Sequence, residues 1–138
     1  MPLPAEIVAD ANVILSALIG GRAGHVFSQA HGPKVYAPST VRDEVREYLP
    51  QLAAKKHLSL PLLLIAFDLL FVSWVDDADY VAQETEARRR MNKRDPDDWP
   101  LVALALSRSS PIWSQDKDLS ESGLIVYTTG DLLDLLRS

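Results

Sequence analysis

The chain has 138 residues, 47% of them hydrophobic and 24% charged, which is core material for one ordinary domain spanning residues 1–138 and too little for two. It contains no cysteine, which excludes disulfides, thiolate metal centres and cysteine nucleophiles. A formal net charge of −5 argues against binding nucleic acid by overall electrostatic attraction, yet leaves room for an enzyme whose acids are neutralised by a cation.

In chain order, the short apolar run Ile7 to Ala9 predicts a first strand, preceded by nothing that resembles a cleavable signal peptide, so a cytoplasmic location is expected. A helix over Asn12 to Ile19 exits through Gly20-Gly21, and a second over Ala23 to Ala30 closes at Gly32-Pro33. Lys34 to Ala37 reads as strand two. The helix from Val41 to Lys56 carries an apolar stripe at Val41, Val45, Tyr48, Leu49 and Leu52, with Thr40 and Asp43 spaced as a capping box and Pro50 expected to kink or split it.

Leu58 to Val75 is apolar for most of its length, but Pro61 and Asp68 interrupt it. A helix over Leu60 to Leu69 and a strand over Phe71 to Val75 are therefore expected, with no membrane span. The apolar helix is a candidate dimer or partner surface, or core. A polar helix from Ala78 to Met91, a helix from Asp97 to Ser107, strands at Pro111 to Ser114 and Leu124 to Tyr127, and a helix from Gly130 to Arg137 complete the chain. Strands separated by helices of this length indicate an α/β fold with a mainly parallel sheet, in which chemistry sits beyond the carboxyl ends of the strands.

Four acids stand where such a fold would use them. Asp10 directly follows strand one, although it is equally suited to cap the next helix. On a helical wheel Glu44 lies about 60° from Val41 and about 40° from Tyr48, at the shoulder of the apolar face, where it either turns inward or snorkels out. Asp98 falls in line with Leu101, Val102 and Ala105, whereas Asp95 and Asp97 do not. Asp116 follows strand four, where the alternative is an Asx-turn, and Asp118 is two residues on. Together they are the oxygen-rich set that hard divalent cations prefer.

Val8 to Leu15, Pro38-Ser39-Thr40 leading to Glu44, Asp98 followed by Ala103-Leu104-Ala105, and Trp113 to Asp118 together resemble the PIN-domain (PilT N-terminus) family over nearly the whole chain, in the right order. The resemblance implies a three-layer α/β/α fold around a mainly parallel five-stranded sheet. It makes Asp10, Glu44, Asp98 and Asp116 the catalytic and metal-binding acids, with Asn12, Ser114 and Asp118 as supporting polar groups. The implied activity is Mg²⁺- or Mn²⁺-dependent hydrolysis of RNA. Many bacterial members resemble VapC-type toxins, so a small antitoxin partner and a homodimer are further expectations.

Ala11 stands where a hydroxyl residue is frequent and Ser114 where Thr is usual, which bears on the polar groups around the carboxylates and not on the carboxylates themselves. Arg88, Arg89, Arg90, Lys93 and Arg94 are the candidate RNA-phosphate track, with a solvated helix face paired to Glu84 and Glu86 as the alternative. Trp99 reads as a base-stacking platform or, more simply, as an anchor near its helix start. A receiver-type signalling domain fits less well, because Leu124 to Thr128 carries no lysine. A catalytically silent scaffold would be marked by loss of one of the four acids, and all are present.

Overall fold

The computed structural model describes residues 2–91 and 96–137. Five strands, β1 (Glu6–Ala9), β2 (Lys34–Pro38), β3 (Ser73–Val75), β4 (Ile112–Trp113) and β5 (Val126–Tyr127), form one sheet in the order β3-β2-β1-β4-β5, every neighbouring pair parallel. The helices are α1 (Ala11–Leu18), α2 (Ala23–Phe27), α3 (Ser39–Lys56), α4 (Leu60–Leu69), α5 (Glu84–Arg90), α6 (Trp99–Arg108) and α7 (Thr129–Arg137).

Strand side chains alternate between two faces, and both faces are covered. Ile7, Ala9, Val35, Ala37 and Trp113 pack with α1, α2, α3, α4 and α7 in one core layer, through residues such as Ile14, Val26, Val45, Leu49, Phe67 and Leu132. Val8, Tyr36 and Ile112 face the other way, onto Tyr80, Ala87, Met91 and the buried run Leu101 to Ala105 of α6. The fold is thus the expected α/β/α sandwich. The chain runs from β1 outward to β2 and β3 on one side and returns to β4 and β5 on the other. The crevice between the carboxyl ends of β1 and β4 is therefore the switch point at which open parallel sheets bind ligands.

Several local expectations need correction. Helix α3 runs unbroken through Pro50, which lies exposed while Leu49, Leu52 and Ala53 are buried around it. Packing along the inner face keeps the helix whole despite the lost backbone donor. The Thr40/Asp43 capping box does not form, because the helix already begins at Ser39 after an extended Pro38 with no side-chain cap. The expected helix from Ala78 divides into 3-10 turns at Asp77–Asp79 and Val81–Gln83 before α5, since Tyr80 turns fully inward between them. The second helix stops at Phe27, three residues short, and strand three begins only at Ser73. Asp98 belongs to a 3-10 turn, Pro96–Asp98, that precedes α6. A further 3-10 segment, Lys117–Ser122, follows Asp116. Among the described residues no helix is long and apolar enough to cross a membrane.

Candidate metal-binding acidic site

A cavity of about 230 Å³ opens at the carboxyl edge of the sheet. It is lined by Asp10, Asn12, Thr40, Glu44, Asp97, Asp98 and Asp116 over a floor of Ala11, Val41, Pro100, Leu101 and Leu119. The four acids singled out from the sequence reach it from four segments: the β1–α1 junction, the second turn of α3, the turn before α6, and the loop after β4. None of its described lining residues is basic.

Asp10 is the best-defined member. One carboxylate oxygen, Oδ1, accepts the Val13 amide at 2.9 Å and so caps α1. The other, Oδ2, accepts a short hydrogen bond from the hydroxyl of Ser114 across the β1–β4 crevice. The cap and the cavity position are thus held by the same side chain, and the two readings of Asp10 are compatible. Ser114 is fully buried and its Oγ also accepts the Asp116 amide at 2.9 Å. Asp116 Oδ1 in turn accepts the Asp118 amide at 2.9 Å, an Asx-turn that starts the 3-10 segment. Burial pushes the Asp10 carboxyl above its ordinary value, opposed by the Ser114 and Val13 hydrogen bonds and reinforced by the neighbouring Asp116 charge.

The family model for the PIN domain matches residues 8–137. The chain belongs to the PIN-domain family. A search of curated proteins finds no match. Among solved structures, this PIN domain is similar to a toxin–antitoxin complex from Klebsiella pneumoniae, with 16% identity over 90% of this chain and 98% of that one at a TM-score of 0.64. It is also similar to VapBC2 from Rickettsia felis, solved bound to a fragment of promoter DNA, with 14% identity over 88% and 97% of the two chains at a TM-score of 0.67. A third likeness is to FitAcB from Neisseria gonorrhoeae, at 17% identity over 91% and 99% with a TM-score of 0.58. At identities this low the likeness shows a shared fold alone. PIN domains are generally nucleases.

Within this PIN domain the other predicted site residues divide. Asn12 lines the cavity from the exposed first turn of α1. Asp118 does not line it and contributes its backbone amide to Asp116. Glu44 borders the cavity while staying exposed, so of the two alternatives at the shoulder of α3 it takes the outward one. Two lining residues escaped the sequence reading. Asp97 falls off the stripe of an α-helical wheel, but it lies in the 3-10 turn ahead of α6, outside the helix that wheel describes, and lines the cavity with Asp98. Thr40, which its spacing to Asp43 suggests as a cap, stands just past β2 at the carboxyl edge and lines the cavity.

The three described arginines of the candidate phosphate track lie on α5 and pair along their own helix. Arg88 meets Glu84 at 2.8 Å, and Arg89 and Arg90 both reach Glu86, whose carboxyl those two hydrogen bonds hold down to about 2. Arg90 also donates through Nη1 to the Ser122 carbonyl at 2.6 Å, which ties α5 to the 3-10 segment behind Asp116. Lys93 and Arg94 lie outside the described residues. Trp99 is half-buried between the Arg88 guanidinium, 5.1 Å from its ring centroid, and Tyr80, edge-on at 5.9 Å, so it serves as an anchor. Helix α4 buries Leu63 and Phe67 and leaves Leu62, Ile65 and Leu69 exposed in one stripe.

The donor set of the cavity is all oxygen, which suits Mg²⁺ or Mn²⁺ and not a thiophilic ion. Among the described residues no three acidic or histidine side chains are close enough to form a ready-made ligand cluster. That spacing fits an ion that takes one or two carboxylates directly and reaches the others through water. Ser114 is the hinge of this arrangement. Ser114→Ala leaves the Asp10 Oδ2 and the Asp116 amide without their shared partner and is expected to cost about 1–3 kcal/mol in urea unfolding.

Proposed function

We propose that this PIN domain, acting as one unit over residues 1–138, is a Mg²⁺- or Mn²⁺-dependent endoribonuclease. The observation that carries the reading is the delivery of Asp10, Glu44, Asp98 and Asp116 from four separate segments to one cavity at the β1–β4 switch point. Asp10 and Asp116, linked through Ser114, are the pair that would hold an ion directly; Asp98 and Glu44 line the same cavity and would orient its waters. A bound divalent ion supplies neutralisation of the scissile phosphate and a water acidic enough to act as nucleophile near neutral pH. The protein's own part is to keep Asp10 aligned by its two hydrogen bonds and to surround the reacting phosphate with acceptors that only a cation makes tolerable.

The solved structure named as a toxin–antitoxin complex supports a toxin role with an antitoxin as partner; a cytoplasmic location and a homodimer belong to the proposal on the family resemblance alone. For the substrate track, Arg88 and Arg89 on exposed α5 would exchange Glu84 and Glu86 for RNA phosphates, while Arg90 stays committed to Ser122. The rival reading is a scaffold that binds RNA or a protein without cutting.

The deciding experiment is cleavage of labelled single-stranded RNA with Mn²⁺, Mg²⁺ or EDTA, beside calorimetric Mn²⁺ titration. Cutting that requires the metal is the expected result. Folded protein that neither cuts nor binds Mn²⁺ would make the scaffold the correct reading.

A further inference from the structure

β4 ends at Trp113, and the chain then bends at Gln115, with the side chains of this short stretch divided between two sides. Ser114 and Asp116 fall on the side of the acidic cavity, one bonded to Asp10 and the other lining the cavity itself. Trp113 and Gln115 fall on the opposite side, and both end on the same residue. The Trp113 indole Nε1–H donates to Thr129 Oγ1 at 3.0 Å, and the Thr129 amide donates to Gln115 Oε1 at 2.8 Å.

Thr129 is buried and is the first residue of α7, where backbone N–H groups have no partner inside the helix. The helix caps itself one residue earlier: Asp131 Oδ2 accepts the Thr128 amide at 2.9 Å, and Thr128 Oγ1 accepts the Asp131 amide at 3.1 Å. That box leaves the Thr129 amide to be met from elsewhere, and its acceptor comes from the single residue between Ser114 and Asp116.

We infer that Gln115 is a positioning residue, one that clamps the Ser114–Asp116 backbone to the start of α7 and thereby fixes the direction in which Asp116 is presented to the cavity. Its catalytic consequence rests on the nuclease reading above; its structural consequence does not. With Trp113 gripping the same threonine, the strand end is held at two points on its rear side while its front side carries the site. Loss of the Gln115 contact frees the peptide next to Asp116 without opening the core, because Trp113 stays buried.

The test compares Gln115→Ala and Gln115→Glu with the parent by amide hydrogen exchange, Mn²⁺ calorimetry and RNA cleavage. Gln115→Ala is expected to exchange the Asp116 and Asp118 amides about tenfold faster, to bind Mn²⁺ about tenfold more weakly and to lower kcat about tenfold with little change in KM. Gln115→Glu keeps the acceptor for Thr129 and is expected to restore the exchange protection. Gln115→Asn replaces the alanine variant if that one fails to fold.

Unchanged exchange at Asp116 overturns the inference. So does faster exchange confined to α7, because that is the mark of a helix cap alone. If the parent chain neither binds Mn²⁺ nor cuts RNA, the nuclease reading falls, and the exchange comparison still decides the role of Gln115.

Discussion

Asp10→Asn is expected to abolish RNA cleavage, by on the order of 10³-fold, while making the metal-free protein more stable near neutral pH. The activity term follows from the proposed function: removing one of the two proposed direct ligands would forfeit several kcal/mol of charge stabilisation in the transition state, and each 1.36 kcal/mol is tenfold in rate. The stability term follows from the raised carboxyl of Asp10, caused first by burial. Because the folded state binds that proton more tightly than the unfolded chain, the buried charge destabilises the fold at pH values above the folded pKa. The penalty fades as pH falls through that value and is gone below the ordinary carboxyl value of 3.8.

Asn keeps an oxygen for the Val13 amide, so the α1 cap survives the substitution. Thermal unfolding of parent and variant between pH 4 and 8 should therefore show the variant's advantage growing with pH. Added Mn²⁺ should raise the parent's Tm and leave the variant's unchanged, since only an ion that binds the native state stabilises it. A variant less stable than the parent at pH 7 would mean that Asp10 is held by its hydrogen bonds more strongly than burial disfavours it.

The largest stability effect is expected at Trp113. It is fully buried, its ring lies 5.1 Å from that of Phe27, and its indole donates to Thr129. Trp113→Ala removes the side chain that joins β4 to α2 and α7, and should cost about 3–5 kcal/mol in urea unfolding. Trp113→Phe retains most of the packing and loses the indole donor to a buried hydroxyl, an effect of about 1–2 kcal/mol. A cost below about 1.5 kcal/mol for the alanine variant would show that α2 and α7 collapse into the vacated space.

How much of the site could be read in advance varies with the distance over which each feature is decided. Asp10 and Asp116 were legible because a strand's end is a local signal: an apolar run stops, and the next acid stands at the carboxyl edge. Asp98 lines the cavity although the helical wheel that singled it out does not apply to its 3-10 turn, and the same wheel passes over Asp97. The partners of the α5 arginines were narrowed to two alternatives by i,i+3 and i,i+4 spacing, and the side chains are seen to take Glu84 and Glu86.

The sequence by itself determined the fold class and the order of strands and helices, because hydrophobic patterning is a property of neighbours in the chain. It also put Asp10 and Asp116 at strand ends and Glu44 at the shoulder of the apolar face of its helix. Only the tertiary structure decided which acids share a cavity, that Arg90 reaches Ser122, that Pro50 leaves α3 whole and that Gln115 meets Thr129. Those outcomes depend on contacts between residues far apart in sequence, and such contacts exist only once the crossovers have brought β1, β4 and α7 together.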